Sequence, residues 1–82
     1  MASIRVNYYA QLREALKTGW ETVAVDLPAR ERDILESLAR LHPKQRDLFM
    51  ASRVAVDDGY VGGDALLDGI TGVDIISPIS GG

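Results

Sequence analysis

Ile4, Val6 and Tyr8 alternate with Ser3, Arg5 and Asn7, a two-residue period that places the two sets on opposite sides of an extended chain and predicts a half-buried strand over 3–9. The period then lengthens. Leu12, Ala15 and Leu16 fall on one side of a short helix over 11–18, Arg13, Glu14 and Lys17 face water, and Gly19 is read as the left-handed stop. Val23, Val25 and Leu27 restore the alternation in a second strand over 21–27, which Pro28 ends. Ile34, Leu35, Leu38, Ala39 and Leu41 recur at helical spacing opposite Glu31, Arg32, Glu36 and Arg40, which predicts the main amphipathic helix. No Ser or Thr caps its start, placed within 29–33, and His42-Pro43 ends it. A polar connection follows with Leu48 and Phe49 as its apolar anchors. Beyond it come a strand over 53–57, a tight turn at Asp58-Gly59 into Tyr60-Val61, and hence a hairpin. Gly62-Gly63-Asp64 and Asp68-Gly69 punctuate a segment holding Leu66 and Leu67, and a last strand runs over 73–76.

The strands' inward residues and the stripe of Ile34, Leu35, Leu38 and Leu41 each need an apolar partner. A mixed sheet with the long helix across one face satisfies both, so the expected fold is α+β of the β-grasp, ubiquitin-like kind. With 82 residues, 46% of them hydrophobic, one core accounts for the chain, and a single domain is expected over 1–82 with an extended tail at 77–82. The apolar stretches are far shorter than the roughly 20 residues that cross a bilayer, and no basic region followed by an apolar segment opens the chain. A cytoplasmic protein without membrane contact is expected.

Charge narrows the partners. All nine Lys and Arg lie in residues 1–56 beside seven acids, while 57–82 carry five Asp and no base. Such an acidic third would be repelled by phosphates, which argues against nucleic acid, and suits either docking on a basic protein surface or turns that face water. Without cysteine there is no thiolate, persulfide, disulfide or cluster ligand, and no metal site is expected. His42 is placed to stabilise the last helix carbonyls rather than to catalyse. Asp57 and Asp58 point to opposite sides of a strand before a glycine, which reads as a turn. Ser80 has no base positioned beside it and is read as a spacer.

Pro78, Ile79, Ser80, Gly81 and Gly82 follow the last strand directly. Glycine lacks a β-carbon, so Gly81 can pass a channel too narrow for other residues and carry the Gly82 carboxyl to an enclosed site; the alternative is an end with no chemistry. A free α-carboxyl, with a pKa of roughly 3.3–3.7, is an anion at neutral pH and a poor electrophile. It needs activation. Adenylation by a partner followed by sulfide transfer would give a thiocarboxylate, and an amine would give an isopeptide bond, with the chain as carrier rather than catalyst.

The run Val6-Asn7-Tyr8-Tyr9-Ala10-Gln11-Leu12-Arg13-Glu14, with Arg53-Val54-Ala55-Val56, Asp68-Gly69 and Pro78-Ile79-Ser80-Gly81-Gly82, resembles the small, sulfur-carrying subunit of molybdopterin synthase over nearly the whole length. The resemblance implies a thiocarboxylate on Gly82, made by an ATP-dependent adenylating enzyme with a sulfur donor system. The tail (Pro78, Ile79, Ser80, Gly81) would insert into a large subunit, within a heterotetramer that delivers two sulfurs to a cyclic pyranopterin monophosphate to build the molybdopterin dithiolene. No cofactor would be held permanently; ATP acts on the activating partner's side. Arg13, Phe49, Tyr60 and Ile79 are assigned to the partner surface with the apolar sheet face, although Arg13 also fits an exposed helix face, and Phe49, Tyr60 and Trp20 also fit the core. The chain departs from the family pattern at Asp57-Asp58, at Ser77 in place of the first of a common proline pair, and at a last turn about one residue longer through Ile70-Thr71-Gly72. Ser77 is expected to leave the root of the tail less stiff than two prolines would. The alternatives are a sulfur carrier for thiamine thiazole formation, a protein modifier, and a non-covalent ubiquitin-like adaptor.

Overall fold

The computed structural model describes residues 1–57 and 59–78. In it the first alternating run forms β1 (Ala2–Tyr8), with Ile4, Val6 and Tyr8 buried and Ser3 and Arg5 exposed on the opposite side. Helix α1 (Ala10–Leu16) buries only Leu12; Leu16 is half-buried against the core and Ala15 is exposed, contrary to the expected face. The left-handed residue that ends α1 is Lys17, with φ 58°, not Gly19. The helix starts a residue earlier than the periodicity suggests and is only two turns long, so its stop falls on a residue that carries a β-carbon, at a steric cost of roughly 1–2 kcal/mol.

Strand β2 (Trp20–Val25) pairs antiparallel with β1, Ile4 opposite Val23 and Val6 opposite Glu21. It ends short of Leu27, which still packs against the core. Helix α2 (Glu31–Leu41) begins without a Ser or Thr cap, but the Asp33 carboxylate accepts the Arg30 backbone N–H at 3.0 Å. Glu31 and Asp33 also place negative charge in the first turn, where the helix dipole favours it. Ile34, Leu35, Leu38 and Ala39 are buried, whereas Leu41 is 52% exposed. Leu41 is the last residue of α2, and the chain turns away through a 3₁₀ turn (Pro43–Gln45) into α3 (Arg46–Met50), which fills the core at this end with Phe49. Sequence periodicity cannot register a five-residue helix, so α3 reads as a polar connection.

Strand β3 (Arg53–Val56) and the two-residue β4 (Gly59–Tyr60) form the expected hairpin, shifted by one residue. Val56 pairs with Gly59, and Asp57 takes the left-handed conformation at φ 53°; Asp58 lies outside the described residues. The long connection that follows buries Val61 and is tied down midway, where Leu67 and Ala29 exchange backbone hydrogen bonds of 2.7 and 2.9 Å. Strand β5 (Gly72–Ile76) completes the sheet in the order β2-β1-β5-β3-β4, parallel to β1 and antiparallel to β3. A β-carbon at Gly72 would meet the Arg5 carbonyl oxygen at 3.2 Å, so β1 would have to give by a few tenths of an ångström to admit one. Val73 and Ile75 join Ile4, Val6, Tyr8 and Val54 beneath α2, and Phe49 meets Tyr8 edge-on with ring centres 6.0 Å apart. Among the described residues, no helix is long and apolar enough to cross a membrane.

Candidate functional site

The pairing places β5 in the middle of the sheet, so the segment leading to Gly82 starts between β1 and β3 rather than at an edge. Its first residue is anchored. Ser77 is 3% exposed, and its hydroxyl donates to the Tyr9 carbonyl oxygen at 3.1 Å. Ser77, which stands where the family pattern has a proline, is thus buried and hydrogen-bonded at the root. Pro78 is exposed; Ile79, Ser80, Gly81 and Gly82 lie outside the described residues.

Beside this root the outer sheet face carries a shallow concavity lined by Tyr9, Ala55, Tyr60, Asp74 and Ile76. Tyr60 is 65% exposed, and the Arg53 guanidinium lies over its ring at 5.3 Å. The carboxylate among these lining residues, Asp74, already accepts the Asn7 amide at 3.0 Å and the Tyr9 hydroxyl at 3.4 Å. Further along, Arg5 donates to Asn7 at 3.0 Å and stacks on Trp20 at 4.3 Å. The outer face is therefore not apolar throughout, as expected from the alternation. It has a hydrogen-bonded polar centre, and its apolar part is confined to the end next to Ser77. Such a surface can bind another protein by burying Tyr60 and Ile76, and it offers aromatic and aliphatic contacts rather than an acid–base pair.

Of the residues expected at a partner surface, Tyr60 is exposed and lines the concavity. Arg13 is exposed on α1, against the Gly19 turn, where its Nε would lie 3.8 Å from a β-carbon built on Gly19, and it is not among the residues lining the concavity. Phe49 is fully buried and is not a surface contact. It packs between Tyr8 and the His42 ring, which stacks on it at 5.9 Å. Of the acidic third, Asp57, Asp64 and Asp68 are exposed in turns and loops.

A cluster absent from the sequence expectations lies behind Phe49. Glu21 accepts the Tyr8 hydroxyl at 2.5 Å and its same oxygen lies 2.6 Å from His42 Nε2, which joins β1, β2 and the end of α2. The His42 imidazole therefore serves Glu21 and not the helix carbonyls; only its backbone N–H caps α2, on Leu38. The signal was present, because Glu21 stands on the inward side of β2 with Val23 and Val25, where an acid needs a partner. Burial, then the hydrogen bond from Tyr8 to Glu21 and the glutamate's charge, push the Tyr8 phenol well above its ordinary pKa. Below the ordinary tyrosine pKa, near 10, this contribution to stability is fully present. As pH rises past it, the unfolded chain gives up the proton while folded Tyr8 keeps it, so stability should fall by up to about 1.4 kcal/mol per pH unit. Urea midpoints measured from pH 8 to 11 should show that decline in the wild type and a flatter one in Tyr8→Phe; parallel curves would contradict the assignment.

No family model matches the chain, and no curated protein sequence matches it significantly. Solved structures do. Small archaeal modifier protein 1 of Haloferax volcanii superposes with a TM-score of 0.75 at 20% identity, covering 99% of this chain and 100% of the other. The fold is β-grasp, ubiquitin-like. The putative molybdopterin converting factor subunit 1 of Pyrococcus furiosus shares the β-grasp sheet with a TM-score of 0.75 at 24% identity, covering 96% of this chain and all of that one. The complex of subunits 1 and 2 of the molybdopterin-converting factor of Helicobacter pylori supplies a further match, with a TM-score of 0.62 at 10% identity over 99% and 100% of the two chains. The expected α+β class and the mixed sheet are as the sequence indicated.

Proposed function

We propose that this chain is the sulfur-carrying small subunit of a molybdopterin synthase. The observation that carries the reading is the connection of a central strand, β5, through an anchored Ser77 to a sequence that runs to Gly81-Gly82. In the proposed chemistry a carboxylate oxygen of Gly82 bonds to the α-phosphorus of ATP on an adenylating enzyme and pyrophosphate leaves. A sulfide equivalent from a donor system then adds to the activated carbonyl and AMP leaves, which yields the thiocarboxylate. Gly81 gives the reactive end passage into a large subunit, and the concavity around Tyr60 and Ile76 supplies the docking surface. There the thiocarboxylate sulfur bonds to a cyclic pyranopterin monophosphate, and water then cleaves the Gly82 acyl C–S bond, leaving sulfur on the pterin and returning the Gly82 carboxylate. The likeness to converting factor subunit 1, and to a complex of subunits 1 and 2, supports this reading.

The likeness to small archaeal modifier protein 1 supports a second reading, in which the same carboxyl forms an isopeptide bond with a lysine. One experiment separates them. The chain is isolated from cells that contain its own sulfuration machinery, and its intact mass is measured, with fragmentation to locate any oxygen-to-sulfur exchange. Sulfur on Gly82 is expected. An all-oxygen terminus in the presence of a competent adenylating enzyme, together with lysine-linked adducts, would replace the carrier reading with the modifier reading.

A further inference from the structure

The ladder of β5 ends at Ile76, which pairs with Arg53. One residue later, the bond from the Ser77 hydroxyl to the Tyr9 carbonyl ties the strand's exit to the corner between β1 and α1, across 68 positions of sequence. That corner is itself fixed. Tyr9 is extended at φ −134° and ψ 159°, Ala10 turns left-handed at φ 52°, and the Tyr9 hydroxyl reaches back to Asp74 on β5. Tyr9 therefore holds β5 twice, through its ring before the strand ends and through its carbonyl just after.

From Ser77 to Gly82 there are five residue steps, which span at most about 17 Å when drawn out in a partner's channel. A change of about 20° in direction at the root would displace the far end by about 6 Å over that reach, and misplacement of about 1 Å at a reacting group already costs catalysis heavily.

We propose that Ser77 is a positioning residue for the activation of Gly82, acting through its bond to the Tyr9 carbonyl. The inference rests on the carrier or modifier chemistry proposed above, since both begin with adenylation of Gly82. The hydroxyl takes no part in the reaction. The carboxylate oxygen of Gly82 forms its bond to the α-phosphorus of ATP and pyrophosphate departs, while Ser77 fixes the direction in which the chain leaves the sheet.

The test is ATP–pyrophosphate exchange catalysed by the adenylating enzyme of the cells that make this chain, with the full-length chain as substrate. Wild type, Ser77→Ala and Ser77→Thr are compared, alongside their thermal midpoints. Ser77→Ala should lower kcat about tenfold, equivalent to about 1.4 kcal/mol, with KM near the wild-type value because the docking face is intact, and Ser77→Thr should restore kcat. Wild-type kcat in Ser77→Ala would overturn the positioning role and leave the carboxyl chemistry standing. A loss in both variants that tracks a lowered thermal midpoint would assign Ser77 a structural role alone and also overturn it. Failure of the wild type itself to exchange would overturn the activation chemistry, and this inference with it.

Discussion

Phe49→Ala should remove a large share of the domain's stability. The ring is fully buried between Tyr8 and His42 beneath the end of α2, and truncating a buried phenylalanine costs about 3–5 kcal/mol in lost transfer energy and residual cavity. An 82-residue domain has in total only about 4–12 kcal/mol to lose. The urea midpoint followed by circular dichroism reads the effect directly, and Phe49→Leu, which keeps most of the volume, should retain most of the stability. This prediction also separates the two roles that sequence leaves open for the residue. A partner contact would give an Ala variant with the wild-type midpoint and weakened binding, and that result would contradict the buried placement.

Glu21→Leu should have the next largest effect, about 2–3 kcal/mol, because it leaves the buried Tyr8 hydroxyl without its acceptor and removes a charge-assisted bond to His42. The His42 and Glu21 side chains are each 26% exposed, so water can take over part of the histidine's need, and most of the loss falls on Tyr8. Glu21→Gln retains a carbonyl acceptor and should cost about 1 kcal/mol. A double-mutant cycle with Tyr8→Phe isolates the pair: coupling near zero would mean that the two groups do not share a bond in solution.

Where burial follows from local alternation, the sequence was legible. Ile4, Val6 and Tyr8, Val23 and Val25, and the stripe from Ile34 to Ala39 are inward as their spacing requires, and the element order was enough to indicate the sheet class. Features that depend on distant partners were not. Phe49 looks the same in sequence whether it anchors a core or a complex, because its burial is decided by where a five-residue helix docks. Leu41 has the right phase on the helix wheel but stands on its last turn, where the chain leaves the sheet. Lys17 adopts the left-handed conformation that Gly19 is better suited to, since helix length rather than residue preference fixed the stop. At the candidate site, Tyr60 beside the tail root was foreseeable as a surface aromatic, whereas the Ser77 bond to Tyr9 joins residues that no local pattern connects.

The central position of β5 bears on how the molecule is made. Before residues 72–76 leave the ribosome, the chain can hold only two separate ribbons, β2 with β1 and β3 with β4, because each borders the gap that β5 fills. Strand β5, the last among the described residues, is the keystone of the sheet. Its arrival closes the most distant contacts in the molecule, the slow step in a topology of this kind, and the same event seats Ser77 on Tyr9. A nascent or misassembled chain lacks that seat, so completion of the sheet and fixing of the chain's exit at Ser77 are one event.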